Sequence, residues 1–135
     1  MIAESCTGMK LRIVVADDNA AFLARLVSVL ATEFDVVATA TDGRSALEHI
    51  RLWRPSVAVL DLEMPGLNGI EVTKELTKDP SSPAVVICSV ENDPEIVEAG
   101  RYAGALGYVF KARVAEDLIV AVKLAARGQS FVSNS

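Results

Sequence analysis

The chain has 135 residues, 51% of them hydrophobic and 23% charged, enough for one soluble domain with a proper core and too few for two ordinary ones. Its 13 basic and 18 acidic residues leave a net charge of −5, which argues against direct nucleic-acid binding by this chain, since such domains carry a basic excess. No apolar run approaches the ~18 residues of a spanning helix, the start lacks an export signal, and Cys6 and Cys88 lack metal-ligand spacing; the expectation is a cytoplasmic protein without membrane contact.

Residues 1–9 are small, polar and unpatterned and read as a flexible tail. Leu11–Ala16 sets Ile13, Val14 and Val15 in succession, a buried strand that ends in Asp17-Asp18-Asn19. A helix follows to about Thr32, with Leu23, Leu26, Val27 and Leu30 on one face. Val36–Ala40 is a second strand. The next helix starts at Thr41-Asp42-Gly43 with Asp42 as cap, buries Ala46, Leu47 and Ile50, and stops after Trp53 at Arg54-Pro55.

Val57-Ala-Val-Leu60 is a short buried strand closed by Asp61, and Pro65-Gly66 turns the chain. A third helix carries Ile70, Val72 and Leu76 to about Lys78. Ala84–Cys88 is a fourth strand with Ser89 at its end. Asn92-Asp93-Pro94 opens a short helix that ends near Ala103-Gly104. Gly107–Phe110 is a fifth strand, followed at once by Lys111. The last helix runs from about Val114 to Arg127, and Gly128 stops it. Leu118, Val122 and Ala125 form its core stripe, while Ile119, Val120 and Ala126 add apolar surface beside it. Cys88 reads as a small core residue, His49 as a solvated helix residue, and Met64 and Pro65 as shapers of their loop.

Strands alternating with helices at short intervals imply a parallel sheet with right-handed crossovers and helices on both faces. In such a sheet the strand C-termini share one edge, where ligands bind. Asp17, Asp18, Asp61, Ser89 and Lys111 all fall at those ends. Three clustered carboxylates repel one another unless a divalent cation joins them, and oxygen-only ligands favour Mg²⁺ or Mn²⁺. A carboxylate can act as nucleophile. A lysine and a hydroxyl beside it suit a transferred phosphoryl group.

The set Asp17-Asp18, Asp61-Leu-Glu-Met-Pro-Gly66, Ser89 and Tyr108-Val-Phe-Lys111 resembles the receiver domain of two-component response regulators. The resemblance covers residues 10–128 and leaves 129–135 as a tail, or as the start of a linker to an absent output domain. It implies a flavodoxin-like (βα)5 three-layer sandwich with sheet order 2-1-3-4-5. It further implies that Asp61 takes a phosphoryl group from a histidine kinase or a small phosphodonor. Asp17, Asp18, Asp61 and the backbone carbonyl of Glu63 would then hold Mg²⁺, and Ser89 and Lys111 would grip the phosphoryl oxygens. Tyr108 matches the family's rotating aromatic, expected to turn inward as Ser89 moves. Glu63 and Glu91, each two residues beyond a site residue, fall where the family tunes phosphate lifetime, and their carboxylates are expected on the path of the attacking water.

Ala112 stands where many receivers carry proline. The Gly107-Tyr-Val-Phe-Lys-Ala112 form and the ending Ala126-Arg-Gly-Gln-Ser-Phe-Val-Ser133 are similar to the NarL/FixJ subgroup, which usually continues into a LuxR-type helix-turn-helix that controls transcription. The face of helix 4, strand 5 and helix 5 is the expected homodimer or partner surface. No external turnover is expected. The alternatives are a stand-alone receiver acting by protein–protein contact, and an aspartate-nucleophile phosphatase, whose second acid would here be Glu63.

Overall fold

The computed structural model describes residues 10–134; the tail at 1–9 and its Cys6 lie outside them. Six parallel strands form one sheet in the order β2-β1-β3-β4-β5-β6. They are β1 (Arg12–Ala16), β2 (Asp35–Ala40), β3 (Val57–Asp61), β4 (Ala84–Ser89), β5 (Gly107–Phe110) and β6 (Phe131–Val132). Five helices connect them: α1 (Ala20–Leu30), α2 (Gly43–Trp53), α3 (Gly69–Leu76), α4 (Pro94–Ala103) and α5 (Val114–Ala126), the last preceded by a 3₁₀ turn at Lys111–Arg113.

The central strands are buried on both faces, which is why they read as unbroken apolar runs. Alternate residues split between two cores. Val14, Ala16, Ala58, Leu60, Val85, Ile87, Tyr108 and Phe110 pack with α2, α3 and α4. Ile13, Val15, Val57, Val59, Val86, Cys88 and Val109 pack with Leu26, Leu30, Leu118, Ala121 and Val122 of α1 and α5.

Local chemistry sets the helix ends. Asn19, Asp42 and Asn68 each accept the N–H three residues on, and Glu71 returns a bond to Asn68 to complete a capping box. Asp93 accepts from Glu95 ahead of Pro94. Two helices end earlier than their apolar pattern predicts. After Leu30 the chain turns so that Phe34, 4% exposed, enters the core with its N–H on the Leu30 carbonyl. After Leu76 the Asp79 carboxylate takes both the N–H and the hydroxyl of Ser81 and holds a turn. Ile119 packs against the α1–α5 core rather than adding free surface; Val120 and Ala126 are exposed.

The sixth strand is the main departure from the expected five. Residues 129–133 fold back onto the sheet. Gly128, at φ +77°, turns the chain back, and Phe131 and Val132 pair with Gly107 and Tyr108. Ser133, 4% exposed, donates its N–H to the Tyr108 carbonyl at 2.9 Å. Its hydroxyl donates to the buried Asp117 at 2.7 Å and accepts from the Phe110 N–H at 3.1 Å. Arg113 faces both Asp117 oxygens at 3.4 Å. Phe131 and Val132 pack against the two cores from either side, and this polar clasp adds to their hold. The Ser133→Ala substitution leaves the Phe110 N–H without a partner and Asp117 with only its longer contacts to Arg113, so it is expected to lower stability by about 1–3 kcal/mol, read as a fall in urea midpoint at constant slope. An unchanged midpoint would show that the clasp contributes nothing.

Candidate functional site

The sheet reverses its winding between β1 and β3, and the acidic residues stand at that point on the C-terminal edge. Asp17 follows β1 directly and is fully buried. Asp18 is exposed. Asp61, the last residue of β3, is 5% exposed. One carboxylate oxygen from each can be chosen so that the three lie within 4.8 Å of one another. Lys111 arrives from the end of β5, with its Nζ 2.8 Å from Asp17 Oδ2 and 3.4 Å from Asp61 Oδ1. Residues from opposite ends of the chain thus meet in one cluster.

Two glycines let the loop after Asp61 lie close. A Cβ at Gly69 would stand 2.5 Å from the Asp61 carbonyl oxygen, and one at Gly43 would stand 1.9 Å from that of Leu67. Gly69 N–H bonds the Leu62 carbonyl, and Gly43 N–H bonds that of Pro65. Helices α2 and α3 therefore start directly against the loop, and a side chain at either glycine would push it away.

Burial, with Asp17 beside it, raises the Asp61 carboxyl from 3.8 to about 6. Lys111 works against that rise without cancelling it. Burial pulls the Lys111 ammonium down, but its contacts with Asp17 and Asp61 outweigh it and the net shift is upward. Three carboxyl groups thus stand beside one ammonium. Asp17 Oδ1 accepts the Asn19 N–H at 2.8 Å. Asp17 Oδ2 has the ammonium at ion-pair distance, but no donor is aligned to hydrogen-bond it. A buried carboxylate oxygen in that state, in an all-oxygen donor set, fits a hard divalent cation.

Ser89 ends β4, one residue beyond Cys88, the residue paired with Asp61. Its Oγ accepts the Glu91 N–H at 3.0 Å. The Tyr108 ring is already fully buried, edge-on to Phe110, and its hydroxyl donates to the Glu91 carbonyl at 2.8 Å. Burial raises the Tyr108 phenol, which keeps it a donor. One oxygen of the Glu91 carboxylate accepts the Asp93 N–H at 3.0 Å, at the approach to α4. The Glu63 side chain is exposed, two residues past Asp61.

Two contributors escape sequence reading. The Phe22 ring, from the first turn of α1, lies 4.5 Å from Lys111 Nζ, although its sequence position shows only an apolar helix residue. Asn19 caps α1 with its side chain, and its N–H also fixes Asp17. His49 is half-buried and away from the cluster, and Cys88 is a core residue whose thiol burial pushes up to about 12. A separate cavity of about 340 Å³ lies at the opposite rim, between the ends of α2 and α3, lined by Arg51, Arg54, Glu75 and Asp79 among others.

Comparison with known proteins settles the family. The response regulator receiver domain matches residues 13–123. The chain belongs to that family. This receiver is 35% identical over 125 residues to the transcriptional regulatory protein DegU of Brevibacillus brevis, covering 91% of this chain and 53% of DegU. It is 34% identical over 128 residues to the transcriptional regulatory protein NarL of Mycobacterium tuberculosis, covering 93% of this chain and 59% of that one. The chain thus spans between half and three-fifths of these relatives' length. The solved receiver domain of M. tuberculosis NarL superposes with a TM-score of 0.86 at 33% identity, over 90% of this chain and 99% of that one. The receiver is of the NarL and LuxR type, with the expected flavodoxin-like order extended by β6. Receiver domains are signalling switches, phosphorylated by sensor histidine kinases, that bind Mg²⁺ in an acidic pocket.

The raised Asp61 carboxyl has a consequence for stability in metal-free buffer. A carboxyl whose folded value exceeds its unfolded value favours the fold while protonated. That contribution is complete below the ordinary 3.8 and is lost as pH rises through about 6. The Asp61→Asn variant does not carry this loss. It is expected to exceed wild type by up to about 3 kcal/mol at pH 7.5, with the gap closing as pH falls toward 4, in paired urea titrations with chelator. A gap that does not change with pH would contradict the assignment.

Proposed function

We propose that Asp61 accepts a phosphoryl group from the phosphohistidine of a sensor kinase, or from a small phosphodonor, and that this modification alters how the domain meets a partner. The bridging of Asp17 and Asp61 by Lys111 at 2.8 and 3.4 Å carries the proposal. It places a cation beside a carboxylate that is nearly sequestered and raised by burial. An Asp61 oxygen attacks phosphorus, an O–P bond forms, the donor's P–N bond breaks, and the leaving imidazole takes a proton. Lys111 compensates the added charge. The Ser89 oxygen accepts from Glu91, which leaves the hydroxyl proton free to donate to a phosphoryl oxygen.

Asp17, Asp18 and Asp61, with the Glu63 carbonyl, would hold Mg²⁺ or Mn²⁺, which supplies charge neutralisation for the crowded carboxylates. Glu91 joins the two remaining partners, since its N–H bonds Ser89 and its carbonyl receives Tyr108. A shift of Ser89 is then felt at Tyr108 through one residue, without rotation of the ring. Glu91 is placed here as that link and as a tuner of phosphate lifetime through the start of α4.

The partner face is proposed on α4 and α5. Tyr102 of α4 is 92% exposed and Val120 of α5 is 46% exposed. The free edge between them belongs to β6, because β6 covers β5. A homodimer there, control of a transcriptional output, and action in the cytoplasm complete the proposal. No helix among the described residues is long and apolar enough to cross a membrane.

Incubation with acetyl phosphate and Mg²⁺ is expected to add one phosphoryl group by intact mass to wild type and none to Asp61→Asn. Chelator should abolish labelling, and Lys111→Met should slow it by at least about tenfold. Sustained hydrolysis of small phosphate esters would instead favour an aspartate-nucleophile phosphatase. Sedimentation should show self-association that grows on phosphorylation and weakens in Tyr102→Glu; a monomer under both conditions would reject the homodimer.

A further inference from the structure

We propose that Phe22 is a positioning residue for Lys111, a seat that holds the ammonium beside Asp61 without using a carboxylate. The inference rests on the phosphoacceptor reading above. The ring centroid lies 4.5 Å from Lys111 Nζ, within the ~6 Å at which an aromatic face attracts a cation. The ring packs against the α1–α5 core. The Phe22 backbone N–H donates to the Asn19 side chain at 2.9 Å, and the Asn19 N–H donates to Asp17 Oδ1 at 2.8 Å. The other Asp17 oxygen faces Lys111 at 2.8 Å. Asp17, Asn19, Phe22 and Lys111 therefore form a closed circuit of contacts that ties the first turn of α1 to the end of β5.

The circuit matters because the carboxylate partners of the lysine are the same atoms that suit a metal. Asp17 Oδ2, its nearer partner, has no aligned hydrogen-bond donor. A cation taking that oxygen would compete with the ammonium for it. The ring offers no lone pair to a hard cation, so its hold on Lys111 is not open to that competition. With the side chain only 14% exposed, the ammonium has limited access to water as a substitute.

The test compares wild type with Phe22→Leu, Phe22→Tyr, and protein carrying pentafluorophenylalanine at position 22, which keeps the ring's shape and removes the negative face. In metal-free wild type, the Lys111 ε-methylene proton resonances are expected upfield of ordinary lysine through the ring current, and at ordinary positions in Phe22→Leu. With acetyl phosphate and saturating Mg²⁺, labelling should be about three- to tenfold slower in Phe22→Leu and in the fluorinated protein, and within about twofold of wild type in Phe22→Tyr. The fluorinated protein decides the matter should the leucine variant fail to fold. Labelling of the fluorinated protein at the wild-type rate, or ordinary methylene shifts in wild type, would overturn this role and leave the phosphoacceptor reading intact. A wild type that takes no label would instead overturn that reading, and this role with it.

Discussion

The rest of the structure depends on an imbalance of charge. Asp17 and Asp61 are nearly sequestered, Asp18 stands beside them, and Lys111 alone lies between the two buried acids. Burying carboxylates this way is costly unless they are paired. A single ammonium faces three of them, and burial, with the Asp17 charge adding to it, raises the Asp61 carboxyl. The fold supplies the geometry that keeps the acids together, because parallel strands must deliver all their C-terminal ends to the same edge. Stability is given up at that edge, and chemistry that adds a cation or redistributes charge recovers it.

Much of this was legible in the chain itself, for definite reasons. Parallel strands buried on both faces leave apolar runs that end abruptly, so Asp61, Ser89 and Lys111 stood out as polar residues at the ends of such runs. Asp42 and Asp93-Pro94 announce helix starts through bonds that only their own backbone neighbours need to make. Signals that depend on distant partners were less visible. Phe131-Val132 looks like part of a tail because its support comes from Asp117 and Phe110, which sequence spacing cannot connect to Ser133. Phe22 looks like one more apolar helix residue, since nothing local tells a ring facing a core from a ring facing an ammonium.

Side-chain direction was the other weak point. The sequence puts Tyr108 on its strand, but its hydroxyl partner, the Glu91 carbonyl, lies in a different loop. Glu91 reads in sequence as an acid two residues beyond Ser89. In the fold its backbone does most of the connecting, and its carboxylate turns to Asp93. Residue identity located these positions; which of their atoms matter depends on contacts between segments.

The strand that bears Tyr108 and delivers Lys111 has β4 on one side and β6 on the other. Its outer neighbour is also the last stretch of chain that the structure describes. Any tensile load applied beyond Ser133 would therefore enter the sheet through the Ser133–Tyr108 backbone bond and the Asp117 clasp, one strand away from the acidic rim. One strand, β5, thus both pairs with the final strand and leads into Lys111.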